Sequence, residues 1–98
     1  YNRRISIIKI INKMEKGILY FSAPWCGPCK VMSPLIEQME KQGKIRVKKV
    51  NVDYDAQLPQ KYSVRSVPTL ILTDLQGTEI RRKIGNLSEQ QILDFYNG

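Results

Sequence analysis

The chain has 98 residues, 42% of them apolar and 26% charged, with two cysteines and no histidine. One core usually serves about 100–150 residues, so residues 1–98 are read as a single domain. Without histidine there is no Ser-His or Cys-His nucleophile pair and no His-ligated zinc. Two cysteines cannot close a four-ligand zinc site, and they are too few for a disulfide-dense secreted scaffold. What remains is chemistry that two thiols do together, or no chemistry at all. No metal and no cofactor are expected.

Sixteen Lys plus Arg stand against nine Asp plus Glu, a net charge of +7. Such an excess favours acidic partners and resists self-association, so a monomer is expected. The basic groups Arg3-Arg4, Lys48-Lys49 and Arg81-Arg82-Lys83 are scattered, and no aromatic residue alternates with them. That pattern speaks for a solvated basic surface and against nucleic acid. No stretch approaches the roughly 18 uncharged apolar residues of a membrane span. Asn2-Arg3-Arg4 and the isoleucines after it faintly resemble a signal peptide, but Lys9 interrupts them and no small-residue cleavage site follows.

In chain order, Ile7, Ile8, Ile11 and Met14 share one face at helical spacing, and Gly17 is a plausible stop. Ile5-Ser6-Ile7 reads equally as a short strand. Residues 18–22 form a continuous apolar run, the mark of a strand covered on both faces. Pro24 to Cys29 is a turn. From about Pro28 to Gln42, Val31, Met32, Leu35, Ile36 and Met39 trace an amphipathic helix that ends near Gly43 and is kinked at Pro34. Residues 45–53 read as a strand whose apolar parity switches at Lys48-Lys49. Ala56 to Tyr62 is a short helix or turn broken by Pro59. Thr69 to Thr73 is a second doubly buried strand.

Leu75-Gln76-Gly77 turns the chain into a hairpin over residues 79–84. There Ile80 and Ile84 alternate with Glu79, Arg81 and Lys83, which predicts a one-sided edge strand with charged outward positions. The last helix starts at Ser88, with Gln91 three residues on as a capping box and Leu87 and Ile92 as a hydrophobic staple. Ile92, Leu93, Phe95 and Tyr96 form its apolar face. Strands separated by helices imply parallel pairing, and the hairpin adds an antiparallel edge. The fold class is therefore α/β, a three-layer sandwich with a central mixed sheet flanked by helices.

Trp25-Cys26-Gly27-Pro28-Cys29-Lys30 lies between a buried strand and a helix start. A thiol there faces unpaired N–H groups and the positive end of the helix dipole, which favour thiolate. Two intervening residues let one sulfur reach the other as the first turn winds. Cys26, nearest the open turn, is assigned as the attacking thiolate. Cys29, one turn in, is expected to be more buried and to resolve the mixed disulfide. Pro28 wastes no N–H in the first turn, and Lys30 adds a cation. Read blandly, the two cysteines are small core residues or half of a metal knuckle.

Ala23-Pro24-Trp25-Cys26-Gly27-Pro28-Cys29-Lys30 resembles the active-site signature of the thioredoxin family. Glutaredoxins and disulfide-forming oxidants carry other residues between the cysteines. The resemblance runs on through Pro34, Asn51-Val52-Asp53, Tyr62-Ser63-Val64-Arg65-Ser66-Val67-Pro68-Thr69, Gly77 and Gly85. It implies the thioredoxin fold and reversible dithiol–disulfide exchange with disulfide-containing target proteins, recharged by a thioredoxin reductase. It implies a cis Val67-Pro68 peptide beside the cysteines. Val67 would then pair with an extended target segment, while Trp25 and Ser66 shape the docking surface. A strand-entry proline is the plain alternative for Pro68.

Three departures from the family stand out. Tyr20 occupies the place of a buried aspartate thought to take the proton of the resolving thiol. A phenol with a pKa near 10 is a poor base at neutral pH. It can hold a water, donate a hydrogen bond towards Cys29, or simply fill core volume. Lys49 matches the lysine that partners that aspartate. Its parity with Ile45 and Val47 points it inward, where an unpaired ammonium is costly. It is expected to snorkel to the cysteine side or to contact the Tyr20 hydroxyl, with a solvated strand lysine as the alternative. Finally, only 17 residues precede Ile18, so the family's first strand is expected to be short or missing.

The Gly-Pro between the cysteines suits the reducing end of the redox scale, hence the cytoplasm. A protein-disulfide reductase is the leading reading. A thioredoxin-fold binding subunit and an extracytoplasmic thiol–disulfide relay are the alternatives.

Overall fold

Apolar runs bounded by turn residues account for the two central strands of the sheet. The computed structural model describes residues 16–98, so the helix or strand expected within residues 5–15, and the short or missing first strand, lie outside the described residues. Four strands, β1 (Gly17–Ser22), β2 (Val47–Asn51), β3 (Thr69–Thr73) and β4 (Glu79–Ile84), form one sheet in the order β2-β1-β3-β4. Helix α1 (Gly27–Lys41) follows β1, the short α2 (Gln57–Lys61) follows β2, and α3 (Glu89–Asn97) closes the chain.

The sheet is mixed. β1 pairs parallel with β2 and antiparallel with β3, and β3 pairs antiparallel with β4. Parallel return through a crossover therefore holds for α1 but not for α2. β3 starts at the end of the sheet where β2 ended, so the segment carrying α2 does not return along the sheet.

The faces follow the period of two. Ile18 and Tyr20 of β1 and Leu70 and Leu72 of β3 pack with Met32, Ile36 and Met39 of α1 and with Ile92, Phe95 and Tyr96 of α3. On the other face Phe21, Val50 and Ile71 meet Leu58, Tyr62, Val64 and Val67. All five residues of β3 are buried, as a doubly covered strand requires.

Helix α1 continues through Pro34 and stops at a glycine. Gly43 has φ +73°, its N–H donates to the Glu40 carbonyl, and the Lys44 N–H donates to the Met39 carbonyl. This pair of bonds satisfies the last carbonyls and needs the left-handed residue that glycine supplies. Pro59 does not break α2; it sits in the first turn, where its missing N–H costs little. The capping box of α3 is complete, with the Gln91 N–H donating to Ser88 Oγ and the Ser88 N–H to Gln91 Oε1.

Strand β4 corrects the alternation expected of it. Ile80 and Ile84 are exposed, while Arg81 and Arg82 are half-buried. At Ile80 the cause is a bulge opposite Leu72/Thr73, where Thr73 pairs with Glu79 and Leu72 pairs with Arg81. One extra residue, Ile80, shifts the side-chain parity. Arg81 then lies over the Phe95 ring and donates to its carbonyl, and Arg82 donates to the Tyr62 carbonyl and to Glu79.

Candidate active site: a disulfide at a helix N-terminus

The site stands where β1 ends and α1 begins. Cys26 is the N-cap of α1, in an extended backbone conformation, and its Sγ accepts the Cys29 N–H at 3.1 Å. An anionic sulfur there gains from that donor and from the helix dipole. The two cysteines are joined as a disulfide, with Cα atoms 5.2 Å apart. They pack with Ala23, and Val52 and Val67 lean on them. The expected difference in burial is not seen, because Cys26 is 4% and Cys29 3% exposed. The hydrogen bond to Cys26, not accessibility, distinguishes the two sulfurs.

Around the disulfide, Gly27 and Pro28 form the first turn of α1 and Lys30 is exposed. A Cβ added to Gly27 would meet nothing within 4 Å, so the chain itself does not demand glycine there. Trp25 is 68% exposed, and its indole N–H donates to Asp53 Oδ1 at 3.1 Å. The Val67-Pro68 peptide is cis, and Pro68 is buried. Trp25, Val52, Val64, Arg65, Ser66 and Val67 line a slot of about 140 Å³ beside the sulfurs.

The leading expectation for Lys49 needs correcting, while Tyr20 follows its core-filling reading. Lys49 neither snorkels to the cysteines nor touches the Tyr20 hydroxyl, although Tyr20 and Lys49 are partners in the β1–β2 register. β2 is an edge strand among the described residues, so a lysine on the α1 face reaches solvent over the rim. Its Nζ pairs with Glu37 Oε1 at 3.1 Å, both side chains about half exposed. Tyr20 is fully buried, and its hydroxyl bonds Ser33 Oγ at 2.8 Å rather than Cys29. Burial pushes the Tyr20 pKa up; the bond to Ser33 works the other way, and the Glu37 charge adds to the rise. Tyr20 is thus a neutral phenol at physiological pH.

Sequence reasoning passed over Ser33 and Glu37, and it named Asp53 only within the family resemblance, not as the partner of Trp25. Helical spacing signalled the first two, since Cys29, Ser33 and Glu37 lie at i, i+4 and i+8 on one face of α1. Asp53 lacked any such signal, because β2 and the loop after it bring it to Trp25.

A redox-active cysteine pair capping a helix, backed by a mixed sheet with a cis-proline loop alongside, defines a thiol–disulfide oxidoreductase. Comparison with known proteins narrows that class. The thioredoxin family model matches residues 7–97. The chain is similar to thioredoxin of Haemophilus influenzae, 37% identical over 90 residues that cover 90% of this chain and 83% of that protein. It is 40% identical to thioredoxin of Rickettsia conorii over 79 residues, covering 79% and 74%. Among solved structures, a mutant thioredoxin from Halobacterium salinarum superimposes with a TM-score of 0.77 at 30% identity, covering 95% of this chain and 80% of that one. The chain belongs to the thioredoxin family. It is a protein-disulfide reductase working by dithiol–disulfide exchange.

Proposed function

We propose that Cys26 attacks the target disulfide, that Cys29 resolves the resulting mixed disulfide, and that a thioredoxin reductase returns the pair to the dithiol in the cytoplasm. The Cys29 N–H directed at Cys26 Sγ carries this assignment, because it stabilises negative charge on that sulfur and no other. In the first step the Cys26 thiolate displaces one target sulfur as thiolate and forms a mixed disulfide. In the second, Cys29 displaces the other target sulfur and closes the Cys26–Cys29 bond. Two electrons pass to the target. The Gly-Pro between the cysteines supports the reducing, cytoplasmic role. The slot beside Val67 supports docking of an extended target segment with one apolar side chain seated against Trp25, Val52 and Val64. Ser66 and Arg65 are exposed at its edge. With Lys30 they favour acidic residues near the target cysteine, in keeping with the net charge of +7. The chain acts as one domain and as a monomer.

The test is insulin reduction with dithiothreitol. Cys26→Ser should fall to the rate of dithiothreitol alone, and Cys29→Ser should accumulate a covalent target adduct on Cys26. Adducts that form on Cys29 in a Cys26→Ser variant would reverse the assignment.

A further inference from the structure

Resolution requires Cys29 as a thiolate, because a neutral thiol is a poor nucleophile. Cys29 is 3% exposed, so its proton leaves only through space that adjoins it. A groove of about 400 Å³ provides that space, lined among others by Ser22, Cys29, Lys30, Ser33, Glu37 and Asn51. At about 30 Å³ per water it has room for several, and its hydroxyl, amide and charged walls offer them partners. Glu37 is the one carboxylate among the lining residues.

Helix α1 builds the route. Cys29, Ser33 and Glu37 follow one another at intervals of four residues along one face. Lys49 Nζ holds Glu37 Oε1 at 3.1 Å, leaving the second oxygen to water. Tyr20, kept protonated by burial, lies 2.8 Å from Ser33 Oγ. When Tyr20 donates to Ser33, the Ser33 proton is free to point into the groove. The charged and titratable groups around this space are Lys30 and Glu37 from α1, Lys49 from β2 and Tyr20 from β1.

We propose that Glu37, through water in this groove oriented by Ser33, accepts the proton that Cys29 sheds as it resolves the mixed disulfide. The inference rests on Cys29 being the resolving thiol. The proton passes from Cys29 Sγ to water and from water to the Glu37 carboxylate. The Cys29 thiolate then attacks Cys26 Sγ, the Cys26–Cys29 bond forms, and the bond from Cys26 to the target sulfur breaks. The departing target thiolate takes up a proton, which Glu37 can return through the same water.

The test follows the mixed disulfide that reduced protein forms with glutathione disulfide, by acid quench and mass spectrometry, from pH 6 to pH 10. Glu37→Gln should form it at the wild-type rate and resolve it about tenfold more slowly at pH 7, at the low end of general-base effects because water intervenes. The gap should narrow as pH rises and hydroxide takes over removal of the proton. Equal lifetimes at pH 7, or a gap that does not change with pH, would overturn the proposal. A wild-type mixed disulfide that lives as long as that of Cys29→Ser is a separate failure. It would remove Cys29 as the resolving thiol and this inference with it.

Discussion

Tyr20 reports on the interior next to the site with a single hydroxyl. It is fully buried, and its bond to Ser33 ties β1 to α1 one helical turn beyond Cys29. Tyr20→Phe keeps the ring and removes that bond, so it should lower stability by about 1 kcal/mol in urea unfolding at pH 7. Because burial raises the tyrosine pKa, the native state holds its proton more tightly than the unfolded chain does. That contribution is complete below pH 10 and is lost as pH rises through the native value. Wild-type stability should therefore fall above pH 10 more steeply than that of Tyr20→Phe. Parallel curves would show that the phenol is not the titrating group. Lys49 carries the opposite lesson. Its side chain is 47% exposed, and an ion pair so open to water is worth only about 0–1 kcal/mol.

The elements explain how much of this could be read in advance. Helices α1 and α3 were legible because their apolar spacing, the Gly43 stop and the Ser88–Gln91 box are local signals. The cysteine pair and its helix start were legible for the same reason. The bounds of β4 were legible too, but its alternation was not, because the register shift at Ile80 is set by pairing with β3 rather than by residues 79–84 alone. The partners Asp53 and Tyr62, which bond Trp25 and Arg82, come from distant segments that no period connects. Ser88→Ala removes the bond to the Gln91 N–H and should cost about 1 kcal/mol in denaturant unfolding. Glu79 donates nothing but accepts two bonds from Arg82, which hold its pKa below the usual 4.5. A depressed carboxyl stabilises the fold above its ordinary value, and that support fades as pH falls through the lowered one. Glu79→Gln should therefore flatten acid unfolding below about pH 4.5. An unchanged acid limb would mean that the Arg82 pair does not survive in solution.

For the whole molecule, two cysteines and no histidine are sufficient because the fold supplies what a histidine supplies elsewhere. The α1 N-terminus favours charge on Cys26, and the sheet places Val67, before the cis proline, against the cysteine cluster. The pair gives electrons to target disulfides. The equilibrium reduction potential of the Cys26–Cys29 couple, read against a glutathione or dithiothreitol series, measures that tendency. A strongly reducing value is expected, near the thioredoxin value of about −270 mV. A potential near that of the oxidant DsbA, about −120 mV, would make the pair an acceptor of electrons and contradict it.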